Sequence, residues 1–328
     1  MTIKYKNVYV NAWATVAGPY ETNGPLRCYF DKTYDEFYFG KKTWEQAEAK
    51  LIKEAVDLLL FKTKQTKKDI NLVISGDLLN QLMASNFGLK TYGIPYLGIY
   101  SACATSVESM IIASNMIDAK QIGNCICTTS SHNNGAEKQF RAPVEYGCPK
   151  PKISTFTCTG AAASLLSSKK SKIRVESSTI GTIQDMGVKD PYNMGGVMSP
   201  AAANTLYNHL TELERTPDYY DLILTGDLGV YGKEIFQKYL YETYKIKLKK
   251  YDDTATMIFD LANQEVYAGA SGPACAPLVT YSYVFDQMLK GKLKKVLLIA
   301  TGSLHSLASV NQKLTIPSIA HAISLEVL

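Results

Sequence analysis

The chain has 328 residues, 46% of them hydrophobic and 20% charged, enough to bury one large core or two fused medium ones and too apolar for a disordered chain. Its net charge of +5 is spread along the sequence; it gives no case for nucleic acid and suits an anionic small molecule or an acidic membrane surface. Seven cysteines without framework spacing, no signal peptide and no apolar run near the roughly 20 residues of a spanning helix predict a soluble, reduced protein that meets membranes only at its surface.

Helical and strand periods alternate from the start. In "TWEQAEAKLIKEAVDLLLF" (43–61), Thr43 and Gln46 form a capping box, and Trp44, Ala47, Leu51, Ala55 and Leu58 recur at helical steps. "INLVISGDLLN" (70–80) reads as a buried strand running into a turn. "SACATS" (101–106) puts Cys103 in a small-residue turn before an amphipathic helix. At such a position, backbone N–H groups and the helix dipole lower a thiol's pKa, although free cysteine is also among the most buried residue types. "NCICTTSS" (124–131) is a strand with Cys125 and Cys127 on one face, better explained by core packing than by metal. "SSHNNGAEKQFRAPVEYG" (130–147) reads as a long polar binding loop carrying His132 and Arg141, with backbone capping the alternative role for His132. In "SPAAANTLYNHLTELE" (199–214), Ser199 is the expected N-cap and Pro200 the first helical residue. "YDLILTGDLGV" (220–230) is a strand, and "YKIKLKKY" (244–251) a solvated edge with a lesser case for lipid or partner contact.

The two strands match, "NLVISGDLL" against "DLILTGDLG". "SACATS" faces "GPACAP" (272–277), and a shift of 172 positions lays Cys103 on Cys275 and "NCICTTSS" on "VLLIATGS" (296–303). Each half runs helix, strand, Ala-Cys-Ala turn, helix, strand. Such a repeat implies two similar α/β halves fused into one body, residues 1–170 and 171–328, joined near "SLLSSKKSK" (164–172). There is no Walker loop, no G-x-G-x-x-G after a strand and no H-E-x-x-H.

The duplicated order, the Cys103 turn and "YAGASGPACAPLV" (267–279) resemble the thiolase and ketoacyl synthase superfamily. That resemblance implies a thiolase-like, five-layered α-β-α-β-α fold, usually dimeric, with a reactive cysteine on a central helix. More specifically, "NAWATVAGPYETNGPL", "SGDLLNQ", "SACATSVES", "AEKQFRAPVEYG", "DLILTGDL" and "IPSIAHA" resemble the stage V sporulation protein AD family of spore-forming bacteria. The family resemblance implies a component that binds dipicolinic acid, with or without calcium. It would act with membrane proteins of the same operon at the forespore or spore inner membrane, in uptake by the developing spore and release at germination.

Ketoacyl synthases of the nearest type place a histidine where this chain has "LTGDLG", with Gly226 or Asp227 at the position, and an asparagine where it has Ala270. Thiolases carry a second cysteine at about Ser318. Cys103 is therefore kept while its usual partners are absent, which implies a vestigial nucleophile and a pocket reused for binding. Dipicolinate is flat, aromatic and doubly negative, and needs donors at both carboxylates. The candidate ligand-binding set is Cys103, Ala104, Thr105 and Ser106 at the helix start, His132 and Asn133 at the adjacent strand end, Arg141 as carboxylate clamp, and Gly272 in the matching turn. Asp77 and Asp227, ending the paired strands, either hold calcium or cap loop N–H groups. No resident cofactor is implied. Two other readings stay open: a Cys103-dependent acyltransferase or thioester enzyme with His132 or His321 as base, and a scaffold for membrane partners.

Overall fold

The computed structural model describes residues 1–140 and 150–328. Its first stretch contains β1 (Thr2–Lys4), β2 (Tyr9–Ala17), α1 (Pro19–Thr22), β3 (Lys32–Thr33), α2 (Trp44–Thr63), β4 (Leu72–Gly76), α3 (Met83–Leu89), β5 (Tyr96–Gly98), α4 (Thr105–Asp118), β6 (Asn124–Ser131) and α5 (Asn133–Phe140). There follow β7 (Phe156–Thr157), β8 (Gly160–Ser167), β9 (Ile173–Thr179), α6 (Met194–Glu212), β10 (Leu222–Thr225), α7 (Gly229–Tyr244) and β11 (Tyr251–Asp253). The chain ends through β12 (Ala270–Ser271), α8 (Cys275–Val279), α9 (Phe285–Leu289), β13 (Lys295–Ser303), α10 (Leu307–Asn311) and β14 (Ser318–Val327).

The strands hydrogen-bond in the order β11-β10-β13-β14-β9-β2-β8-β6-β4-β5. The junction of β9 with β2 is short, Tyr9 with Arg174 and Val10 with Ile173, and it links two sheets rather than extending one. Successive strand side chains point to opposite faces, and here both faces are apolar because both are covered. In β4, Leu72 and Ile74 enter one core while Val73 enters another. In β13, Val296, Leu298 and Ala300 share the first core, whereas Leu297 and Ile299 enter a third.

The shared core holds α4 (Val107, Met110, Ile117) and the α8–α9 run, which continues through a π turn at Thr280–Val284. The second core is closed by Leu51, Ile52, Val56 and Leu59 of α2, and the third by α6 and α7. The layers are thus helix, sheet, helix, sheet, helix. Each buried Leu or Ile in them contributes roughly 1.5–3 kcal/mol.

Thr43 caps α2 by accepting from the Gln46 N–H, as its spacing predicts. Two local expectations need correction. Helix α6 starts at Met194 with Asn193 as N-cap, so Pro200 lies inside it. The Ser199 hydroxyl donates back to the Gly195 carbonyl instead of capping the helix. The polar stretch after β6 is not all loop: residues 133–140 form α5, with Gly135 and Ala136 buried. In 244–251 the expected solvated edge is found, with Ile246 and Leu248 packed on the third core and the lysines between them exposed. No helix among the described residues is long and apolar enough to cross a membrane.

Candidate functional site

Cys103 precedes α4 in a turn whose geometry is set by its neighbours. Ala102 takes a left-handed conformation (φ +49°) that a residue with a Cβ seldom adopts. The Thr105 hydroxyl holds it there, donating to the Ala102 carbonyl at 2.6 Å and accepting the Ser101 N–H at 3.0 Å. Gly302, on β13, lets the second sheet approach: a Cβ there would stand 2.3 Å from the Ser101 carbonyl oxygen.

The turn projects Cys103 into the wall of a cavity of about 30 Å³, which also meets Leu78, Ala136, Phe140, Thr157, Gly272 and His305. That volume holds about two water molecules. A wider groove of about 430 Å³ runs alongside and shares Leu78, Tyr100, Phe140 and His305 with it.

Behind Cys103 lies Asp227, wholly buried and itself in the left-handed region at φ +68°. Its Oδ2 accepts the Gly272 N–H at 2.7 Å, while Oδ1 has no hydrogen-bond partner among the described residues. Burial pushes its pKa up to about 8, so the carboxyl is largely protonated at neutral pH. Burial, and secondarily Asp227, also raises the Cys103 pKa well above the ordinary thiol value. The expectation that the helix start favours a thiolate is therefore overturned, because desolvation outweighs the dipole. Of the two residues considered for the ketoacyl synthase histidine position, Asp227 is the one against Cys103. Ala270 is buried in β12, paired with Phe156. Ser318 opens β14, where its N–H donates to the Gln184 carbonyl.

Among the described residues of the candidate set, Cys103 and Gly272 border the cavity. Ala104 is wholly buried in the central core, Thr105 is spent on the turn, and the buried Ser106 hydroxyl has no partner among the described residues. His132 is turned away: Nε2 meets the Phe37 carbonyl at 2.8 Å, Nδ1 accepts the Gly135 N–H, and the ring packs among Phe37, Phe39 and Trp44. Burial lowers its pKa, consistent with a neutral structural role. Asn133 donates to the Thr159 hydroxyl through its N–H and to the Thr157 carbonyl through Nδ2. His321 meets Ser101 Oγ at 3.3 Å, and burial depresses its pKa to about 4. Arg141 lies outside the described residues.

Asp77 accepts the N–H groups of Leu79 and Ser85 and the Ser85 hydroxyl, so it serves as a loop cap. No group of three metal-ligating side chains occurs among the described residues. Asp227 likewise accepts a loop N–H, that of Gly272.

Three features escaped the sequence reasoning. Cys158 packs beside Asp227 and Cys275, and burial raises its thiol pKa to about 11. Glu137 lines the cavity and is paired with Lys150 at 3.0 Å. His305 lines it too, with Nδ1 3.0 Å from Ser303 Oγ. Cys158 sits in no motif, whereas Ala136, Glu137 and Phe140 fall at the three- and four-residue spacing of one helix face.

Among solved structures, the chain resembles 3-oxoacyl-[acyl-carrier-protein] synthase III from Aquifex aeolicus (TM-score 0.53, 15% identity, 99% of each chain covered). It also resembles a variant of OleA from Xanthomonas campestris (TM-score 0.61, 15% identity, 98% of this chain and 99% of the other). At that identity the likeness establishes the fold alone, and it is the thiolase-like fold. The stage V sporulation protein AD of Bacillus subtilis is 44% identical over 319 residues, covering 97% of this chain and 94% of that protein. The family model for stage V sporulation protein AD (SpoVAD) matches residues 1–326. With so nearly complete a match, and with the thiolase-like architecture built around the Cys103 turn, this chain belongs to the stage V sporulation protein AD family.

Proposed function

We propose that the protein binds dipicolinic acid, and takes part in its uptake by the developing spore and its release at germination. The observation that carries this reading is the group behind Cys103, a buried aspartate where a ketoacyl synthase places a histidine, and burial favours its neutral form. A neutral thiol backed by a neutral acid neither attacks an acyl group nor stabilises an oxyanion well, but neither does it repel a dianion.

The ligand enters from the wider groove, and Tyr100, Phe140 and His305 must shift, because the cavity as it stands admits only water. Arg141 supplies one positive charge and Lys150, held by Glu137, another. Calcium travels as cargo on the ligand's own carboxylates. The membrane partners are proteins of the same operon, and a second copy of the chain pairs along the outer strand β5, where Leu97 is exposed.

Calorimetry with dipicolinate, with and without calcium, tests this reading on the wild type, Arg141→Ala and Ala136→Met. Ala136 is chosen over Ala104 because it faces the cavity, whereas Ala104 is core. Saturable binding lost in both variants supports the site; undiminished binding in both sinks it. A second reading, Cys103-dependent acyl transfer, draws on His305 in the same wall. Rapid acylation of Cys103 by an acyl-CoA, abolished in His305→Ala, would favour it.

A further inference from the structure

The parallel strands β4, β6, β10 and β13 end at the Cys103 site, so the loops feeding them lie at the opposite end of the molecule. Three of the loops at that far end each carry two exposed lysines. Lys67 and Lys68 precede β4, Lys169 and Lys170 precede β9, and Lys292 and Lys294 precede β13. None of the six forms a salt bridge among the described residues. The acids nearby are already engaged. Asp69 caps Thr66, Asp118 accepts the N–H groups of Lys6 and Asn7, and Asp221 accepts those of Lys294 and Lys295.

Exposed apolar side chains stand among these lysines. Phe61, at the end of α2, is 80% exposed and Leu289, at the end of α9, 44%. We propose that this lysine-bearing end docks on a bilayer rich in acidic phospholipid, a deepening that rests on the reading of a component working beside a membrane. The lysine pairs are spread over both sheets, and neither groove described above reaches them. Long flexible cations with isolated apolar side chains between them suit a diffuse anionic surface into which Phe61 and Leu289 can dip.

The test is co-sedimentation of the full chain with phosphatidylglycerol vesicles and with phosphatidylcholine vesicles. Binding is expected only to the former and should fade with added salt. Charge reversal of one pair, as in Lys169→Glu with Lys170→Glu, should weaken partitioning roughly thirtyfold or more. A control pair elsewhere, Lys41→Glu with Lys238→Glu, should change it little. Phe61→Ser keeps the charge and should weaken binding by a smaller factor. Absence of wild-type binding, or an equal loss in the control, overturns the proposal. Binding to a polyglutamate peptide but not to vesicles overturns it in favour of an acidic protein partner. Dipicolinate calorimetry on the same proteins keeps the two readings apart. Loss of ligand binding with intact vesicle binding overturns only the proposed function, and the reverse only the docking face.

Discussion

The two Ala-Cys-Ala turns have nearly the same sequence and opposite fates. In the first, Ala102 is left-handed and Cys103 is thrown out of the helix into the cavity wall. In the second, the left-handed residue is Gly272, three positions before the cysteine. Ala274 is already helical, so Cys275 is wound into α8 and fully buried. Moving one positive φ by two positions along a repeated motif separates a cavity thiol from a core thiol. Asp227 joins them: it accepts the Gly272 N–H, and both thiols pack beside it.

The strongest way to break the comparison is to deny the first turn its space. A Cβ at Gly302 would press on the Ser101 backbone, and backbone yields poorly. Gly302→Val should cost about 4 kcal/mol, read by urea unfolding. A fold of unchanged stability would mean that the turn is not held by that approach.

Next comes the shared carboxyl. Asp227 titrates near 8 when folded and near 4 when unfolded, so the folded state holds its proton longer. The stability it confers is complete below about pH 4 and is lost as pH rises through about 8. Asp227→Asn should therefore flatten the decline and gain on the order of 3 kcal/mol relative to wild type between about pH 5 and about pH 8. Glu21, also raised to about 8 by burial, contributes a parallel decline in both proteins and cancels in the difference. Identical pH profiles would show that Asp227 ionises freely.

Much of this architecture is legible in the sequence, because apolar periodicity reports burial directly. The α2 helix, the matched strands β4 and β10, and the turn at Cys103 stand where the pattern places them. The site is less legible. His132 looks like a cavity residue by position, but the carbonyl that claims its Nε2 belongs to Phe37, 95 residues earlier. No local pattern records such a pairing. Pro200 reads as a helix start because proline is common there, yet Asn193 and the small residues after it begin the helix sooner.

The thiols themselves give a smaller effect. Cys275→Ser buries a hydroxyl in a core position and should cost about 2 kcal/mol, while Cys103→Ser, at the cavity wall, should cost less than about 1 kcal/mol. Labelling should follow the same order, with the exposed Cys28 reacting first with maleimide, Cys103 slowly and Cys275 only on unfolding. Equal rates for Cys103 and Cys275 would erase the distinction.

The finest test makes one change at both matched alanines. Ala102 pays roughly 1–2 kcal/mol for its left-handed backbone. Glycine adopts that conformation freely but loses about 0.5–1 kcal/mol more entropy on folding. Ala102→Gly should thus leave stability equal or raised by up to about 1 kcal/mol. Ala274, at φ −84° on the helical side, has no strain to relieve, so Ala274→Gly should lower stability by about 0.5–1 kcal/mol. Opposite signs in paired denaturation curves would locate the divergence of the two turns in the backbone. Equal signs would move it to side-chain packing, with Thr105 the next residue to change, since its hydroxyl bonds both Ser101 and Ala102 in the first turn and it faces Pro277 in the repeat.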